Sequence, residues 1–136
     1  SLLIGANDLV GPRVRPDALA RDVGRVVRAL RSAGCEVLLV TPFLPRRRAA
    51  RLLARRFAAF NSELRQVARA NGARLLDLEA LPEVGAPALW APDGVHLRSE
   101  GHRYVAYRAA DALGVPDAEA LGQLDSALHQ VAGEQE

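Results

Sequence analysis

Glu36-Val37-Leu38-Leu39-Val40-Thr41 holds four consecutive aliphatic residues and is followed at once by Pro42. A run that is apolar without alternation marks a strand covered on both faces, the usual situation in a parallel sheet. Pro42 and Pro45 end it, because neither has an N–H to give to a ladder. Upstream, Pro16-Asp17 opens a helix in which Leu19, Val23, Val26, Val27 and Leu30 recur at helical spacing, and Gly34 closes it. Asp17 is expected to accept hydrogen bonds from the free amides of the first turn. Downstream, a long helix is expected from about Arg46 to Ala70, with Leu53, Phe57, Phe60, Leu64 and Val67 on one face.

Further out, Ser1–Gly5 and Ala73–Leu78 read as two more short apolar strands, and Asn7-Asp8 as a turn. Pro82 to Pro92 reads as an irregular connection. Ser99 is placed to cap a last core helix carrying Val105, Ala109, Ala112 and Leu113 and ended by Gly114. Strands alternating with helices imply an α/β fold, a parallel sheet with helices on both faces. The expected organisation is one domain over residues 1–116, followed at 117–136 by a short helix and a frayed tail. Leu2-Leu3-Ile4 is a buried-strand pattern normally found inside a domain, so the domain is expected to start before residue 1.

Composition narrows the function. The chain has 136 residues, 49% hydrophobic and 25% charged, enough for one moderate core and too apolar for disorder. No apolar run approaches the about 18 residues of a membrane span. A single cysteine, Cys35, makes no internal disulfide; it is expected to be a small core residue at a strand entrance, and leans the location towards cytoplasm. His96, His102 and His129 show no metal-ligand spacing, so no metal is expected. All 18 basic residues are arginine, and Arg46, Arg47, Arg48, Arg51, Arg55 and Arg56 fall in a stretch without acid. Without those six, twelve arginines face 16 acidic residues, so the chain carries one basic stripe rather than a general positive charge. The stripe reads first as a solvated helix face. A lid attracting anionic substrates and a nucleic-acid surface are the alternatives, the second disfavoured because no aromatic residues interleave to stack bases.

Chemistry in an open α/β sheet gathers beyond the carboxyl ends of its strands. Two candidates fall there. In Asp93-Gly94-Val95-His96 a tight turn can bring the acid to the ring Nδ1–H, freeing Nε2 as a general base; the alternative is a turn aspartate beside a surface histidine. In Gly5-Ala6-Asn7-Asp8 the Asn7 amide can aim an N–H at a developing oxyanion, with Gly5 giving the backbone room; the alternative is a simple Asx turn. Trp90, three residues before Asp93, could wall a pocket or plug the sheet.

Taken in order, Ile4-Gly5-Ala6-Asn7-Asp8-Leu9, Val40-Thr41-Pro42-Phe43, Leu75-Leu76-Asp77-Leu78 and Asp93-Gly94-Val95-His96-Leu97, running into Glu100-Gly101-His102, resemble the SGNH (GDSL-like) hydrolases over about residues 2–114. The resemblance implies a flavodoxin-like, three-layer α/β/α sandwich and hydrolysis of a small-molecule ester by a Ser-His-Asp triad, without cofactor or metal. It makes His96 the base, Asp93 its orienting acid and Asn7 an oxyanion donor. The family's G-D-S block, with the nucleophilic serine, and its second block, with an oxyanion-hole glycine, do not occur in this sequence. Ser1, Ser32, Ser62, Ser99 and Ser126 are at no strand-to-helix elbow. The serine is therefore expected upstream of Ser1, along with any export signal, and the chain by itself is expected to be inactive. Leu2-Leu3-Ile4 would be a central strand in the family, so the resemblance also implies a sheet short of its first strands, with an exposed apolar edge and an aggregation-prone chain.

Overall fold

A computed structural model describes residues 1–44 and 49–133. Pro45 and three arginines of the basic stripe, Arg46, Arg47 and Arg48, lie outside the described residues. Residues 1–85 and 86–136 form two compact units.

In the first unit, β1 (Leu38–Val40) and β2 (Arg74–Leu76) pair in parallel, Leu39 opposite Leu75. Leu2 makes a parallel bridge to Leu39: its N–H donates to the Leu38 carbonyl at 2.8 Å and its carbonyl accepts from Val40 at 3.0 Å. The odd-numbered neighbours on β1 serve the other side, where Arg74 N–H donates to the Val37 carbonyl and Thr41 N–H to that of Leu76. The first segment and β2 thus flank β1. All three expected strand segments are found in a parallel arrangement, but the ladders are shorter than the apolar runs. Every residue from Val37 to Thr41 is buried, as an unbroken apolar run requires.

Helix α1 (Ala6–Val10) occupies the stretch expected to be a turn. Its single buried side chain, Leu9, is fully enclosed and anchors it to the core. Helix α2 (Pro16–Ser32) starts with Pro16 in the first turn, where a missing N–H costs nothing. Asp17 does not cap it; its carboxylate instead holds Arg15 and Arg21, both at 3.0 Å. The chain leaves α2 through Gly34 at φ +82°, with the Cys35 N–H returning to the Leu30 carbonyl at 3.0 Å. Cys35 itself is exposed, not a core residue, because it belongs to that turn and precedes the buried part of the strand.

A 3₁₀ turn (Ala49–Leu53) leads into α3 (Ala54–Ala70). Phe57, Phe60, Leu64 and Ala68 of α3 join Ala20, Val23 and Val27 of α2, Leu9, and Val37 and Leu39 of the central strand in one core. Burial of each large side chain contributes about 1.5–3 kcal/mol. Both long helices of this unit therefore share one sheet face. The strand order explains it: two successive right-handed crossovers stepping in the same direction put both helices on the same side.

Thr41, Asp77, Arg65 and Glu79 form a polar clamp at the carboxyl ends of the strands. The buried Thr41 hydroxyl donates to Asp77 Oδ1 at 2.9 Å. Arg65 of α3 grips both oxygens of Asp77, at 2.7 and 3.0 Å, and reaches Glu79 at 2.7 Å. Burial pushes the Asp77 carboxyl up, but the Arg65 and Thr41 donors outweigh it and hold it below its ordinary value.

In the second unit, α4 (Ser99–Ala112) and α5 (Ala118–Gly133) are antiparallel partners joined by Gly114 at φ +75°. They close tightly at Gly122, where a Cβ would lie 2.8 Å from the Tyr107 ring. Ser99 is the first residue of α4 and makes no capping hydrogen bond, so the cap expected of it is not there. Val105, Ala109 and Ala112 are only half-buried and Leu113 is exposed. The connection read as irregular contains two 3₁₀ turns, over Pro82–Gly85 and Pro87–Leu89, and a third over Leu78–Ala80 precedes it, taking the last residue of the expected strand. Beyond them is an antiparallel bridge between Trp90 and Leu97 that alternation did not reveal.

Candidate active site

The Asp93–His96 pair sits at the tip of the hairpin closed by the Trp90–Leu97 bridge. Three backbone hydrogen bonds tie the hairpin: Ala91 N–H to the His96 carbonyl at 2.8 Å, Gly94 N–H to that of Ala91 at 2.8 Å, and Arg98 N–H to that of Leu89 at 2.9 Å. Gly94 makes the reversal at φ +65°, a conformation that costs glycine little.

Within this loop Asp93 uses both oxygens. Oδ1 accepts the N–H groups of Val95, at 2.8 Å, and His96, at 3.0 Å, which locks the carboxylate across the turn. Oδ2 lies 2.7 Å from His96 Nδ1. A carboxylate only accepts, so Nδ1 carries the proton and Nε2 is left with its lone pair outward. The His96 ring first, and the Val95 and His96 amides after it, hold the Asp93 carboxyl far below the usual carboxylate range. The imidazole side chain is 78% exposed, so Nε2 is open to whatever docks against it.

Asn7 is in the other unit, in the first turn of α1. It is exposed, and among the described residues its side-chain amide has no partner. It does not form the Asx turn offered as its bland explanation. Gly5, just before it, has φ +97°, and a Cβ there would meet Phe60 Cζ at 2.7 Å. The position requires glycine both for its backbone angle and for the approach of the Phe60 ring.

Arg56 was missed as a structural residue. Counted in the sequence as part of a solvated stripe, its guanidinium donates to the carbonyls of Leu9, at 3.0 Å, Gly11, at 2.7 Å, and Val14. It thereby ties the last turn of α1, the helix that carries Asn7, to the loop that follows it. No local pattern could reveal this, since the partners are more than 40 residues away in sequence. Arg51 and Arg55 are exposed, as a solvated face requires. Of the serines, Ser1 and Ser62 are exposed, Ser32 ends α2 and Ser99 begins α4. Among the described residues no group of three His, Cys, Asp or Glu side chains could hold a metal ion, and no helix is long and apolar enough to cross a membrane.

A family model described as GDSL-like Lipase/Acylhydrolase family matches residues 1–104, more than half of the chain. The chain belongs to the GDSL-like lipase/acylhydrolase family. That match takes in Gly5 to Asp8 and the whole hairpin with Asp93 and His96, so every residue singled out from the motifs lies within the GDSL-like region. Comparison with curated proteins and with solved structures returned no match. A hydrolase family and an α/β architecture are thereby assigned to this GDSL-like chain.

Proposed function

We propose that this GDSL-like chain is the base-bearing part of a serine ester hydrolase with the family's three-layer sandwich, its domain covering residues 1–116. The observation that carries the reading is the 2.7 Å contact of Asp93 Oδ2 with His96 Nδ1, in a loop that leaves Nε2 open. A serine Oγ, supplied by a G-D-S segment outside this sequence, attacks the ester carbonyl carbon while its proton passes to His96 Nε2. Asp93 steadies the imidazolium, and Asn7 donates an N–H to the oxyanion. The C–O bond to the alcohol then breaks as His96 returns the proton to the leaving oxygen. A water, deprotonated by His96 in turn, cleaves the acyl-serine and regenerates the enzyme.

This reading makes the chain by itself inactive, because it holds an acid and a base but no serine at an elbow. The experiment has two arms. Excess fluorophosphonate on the 136-residue chain should label no serine stoichiometrically; full labelling at one serine would refute the assignment of the nucleophile. The full-length reading frame should hydrolyse a short-chain nitrophenyl ester, and His96→Ala should lower its kcat by about 10⁴-fold or more. Unchanged turnover in that variant overturns the proposed function. Asn7→Ala should cost about 10²–10³-fold, as loss of one oxyanion donor does elsewhere.

A further inference from the structure

Gly101 is buried in the first turn of α4, and its φ is that of an ordinary helix rather than the left-handed region. Backbone freedom therefore does not account for a glycine there, and helix propensity alone would favour alanine. Its surroundings do account for it. A Cβ at this position would lie 2.3 Å from the Leu89 carbonyl oxygen, 2.8 Å from Leu97 Cδ2 and 3.1 Å from Leu97 Cβ. The oxygen is backbone and the Leu97 Cβ is fixed to it, so no rotation of a side chain relieves both contacts. The same Leu89 oxygen accepts the Arg98 N–H at 2.9 Å and so closes the base of the hairpin. Leu97 is the neighbour of His96 and the partner of Trp90 across the bridge.

We propose that Gly101 is a positioning residue for His96: the bare Cα lets the start of α4 seat directly on Leu89 and Leu97, and that seat holds the hairpin which aims the imidazole. A side chain at 101 pushes the two hairpin strands off the helix, breaks the Arg98–Leu89 hydrogen bond and releases His96 from Asp93. The inference rests on the proposed role of His96 for its importance to catalysis, but the geometry it asserts can be read without any reaction.

The test uses the 136-residue chain labelled with ¹⁵N. In the wild type at a pH where the ring is neutral, His96 should show the ring-nitrogen shifts of the Nδ1–H tautomer, and the Arg98 amide should exchange slowly. In Gly101→Ala the Arg98 amide should lose about tenfold or more of its protection, and the His96 shifts should move to those of a ring averaging both tautomers. Ala106→Gly, at an exposed position of the same helix, should lower the melting temperature while leaving both readouts alone. A folded Gly101→Ala chain with wild-type exchange and tautomer overturns the proposal, as does Ala106→Gly moving both by the same amount. Should Gly101→Ala not fold, Gly101→Ala/Leu97→Ala removes the contact with Cδ2 and keeps that with the Leu89 oxygen. Retained Arg98 protection in that double variant equally overturns the proposal. In the full-length protein Gly101→Ala should reduce kcat with KM unchanged. Absence of ester hydrolysis in the full-length wild type would count against the proposed function and leave the NMR result standing.

Discussion

Asp93 shows how much chemistry one exposed residue can hold when its neighbours are close in sequence. Three N–H donors converge on its two oxygens, all from the next three residues. Protonation must displace them, so the folded-state pKa lies below the ordinary value of 3.8. A depressed folded value means that the loop's stabilisation is present above the unfolded pKa and is lost as pH falls through the folded one. The Asp93 carboxylate should therefore hold its charge to lower pH than an ordinary exposed aspartate, and a carbon-13 titration of its carboxyl should place its own protonation step below that of such a residue. Asp93→Asn in the full-length protein should lower kcat by about 10⁴-fold, because an amide can satisfy the turn yet leave the ring in the wrong tautomer. Gly5 is the opposite case, a residue defined by distant contacts. Gly5→Ala combines the strained φ with the Phe60 contact and should cost about 1–3 kcal/mol in urea unfolding.

Helices and strands here depend on single long side chains from elsewhere. A five-residue helix has no stability of its own, since nucleation is unfavourable and almost every backbone group is terminal. Leu9 and Arg56 supply what α1 lacks, one by burial and the other by binding the Leu9 carbonyl and those of Gly11 and Val14 in the chain that leaves the helix. Arg56→Lys keeps the charge but loses the planar fork; it should destabilise the fold by about 1–3 kcal/mol and speed amide exchange in α1 ahead of α2 and α3. The strand ends are held in a similar way by the Thr41–Asp77–Arg65 clamp. With the Asp77 pKa lowered, the clamp stabilises at neutral pH and weakens as the carboxyl protonates, below about pH 4. Asp77→Asn should lower stability at pH 7 and flatten its decline between about pH 5 and pH 2, measured by urea midpoints across that range.

At the scale of the molecule, apolar surface is left uncovered beside the first strand segment. Leu3 is 56% exposed, Ile4 41% and, on α1, Val10 60%. Leu2 uses its own N–H and carbonyl on β1, and among the described residues the Leu3 backbone has no partner on the side away from it. An apolar strand edge of this kind recruits other chains. Light scattering of the chain alone should rise with concentration, and Leu3→Lys should reduce it without lowering the urea midpoint by more than about 0.5 kcal/mol in equivalent stability. A monodisperse wild-type monomer at high concentration would remove this expectation.

Unbroken aliphatic runs, 3–4 spacing and one short turn were enough to determine three parallel strand segments, the long helices over most of their length and the Asp93–His96 contact. Each depends on residues within a few positions of one another: Val37 to Thr41 for a strand, Leu53 to Val67 for a helix face, Asp93 to His96 for a turn. Tertiary structure alone decided the rest. Asn7-Asp8 became helix because Leu9 found a core and Arg56 found the Leu9 carbonyl; Cys35 is at the surface because it belongs to the turn that closes α2. The side of the sheet taken by α2 and α3 depended on strand order, which no local pattern encodes. The need for glycine at 101 comes from Leu89 and Leu97, which the folded chain sets against it. The division is one of range: local spacing sets which backbone hydrogen bonds can form, whereas close approach and long-range capping exist only once the chain has folded back on itself.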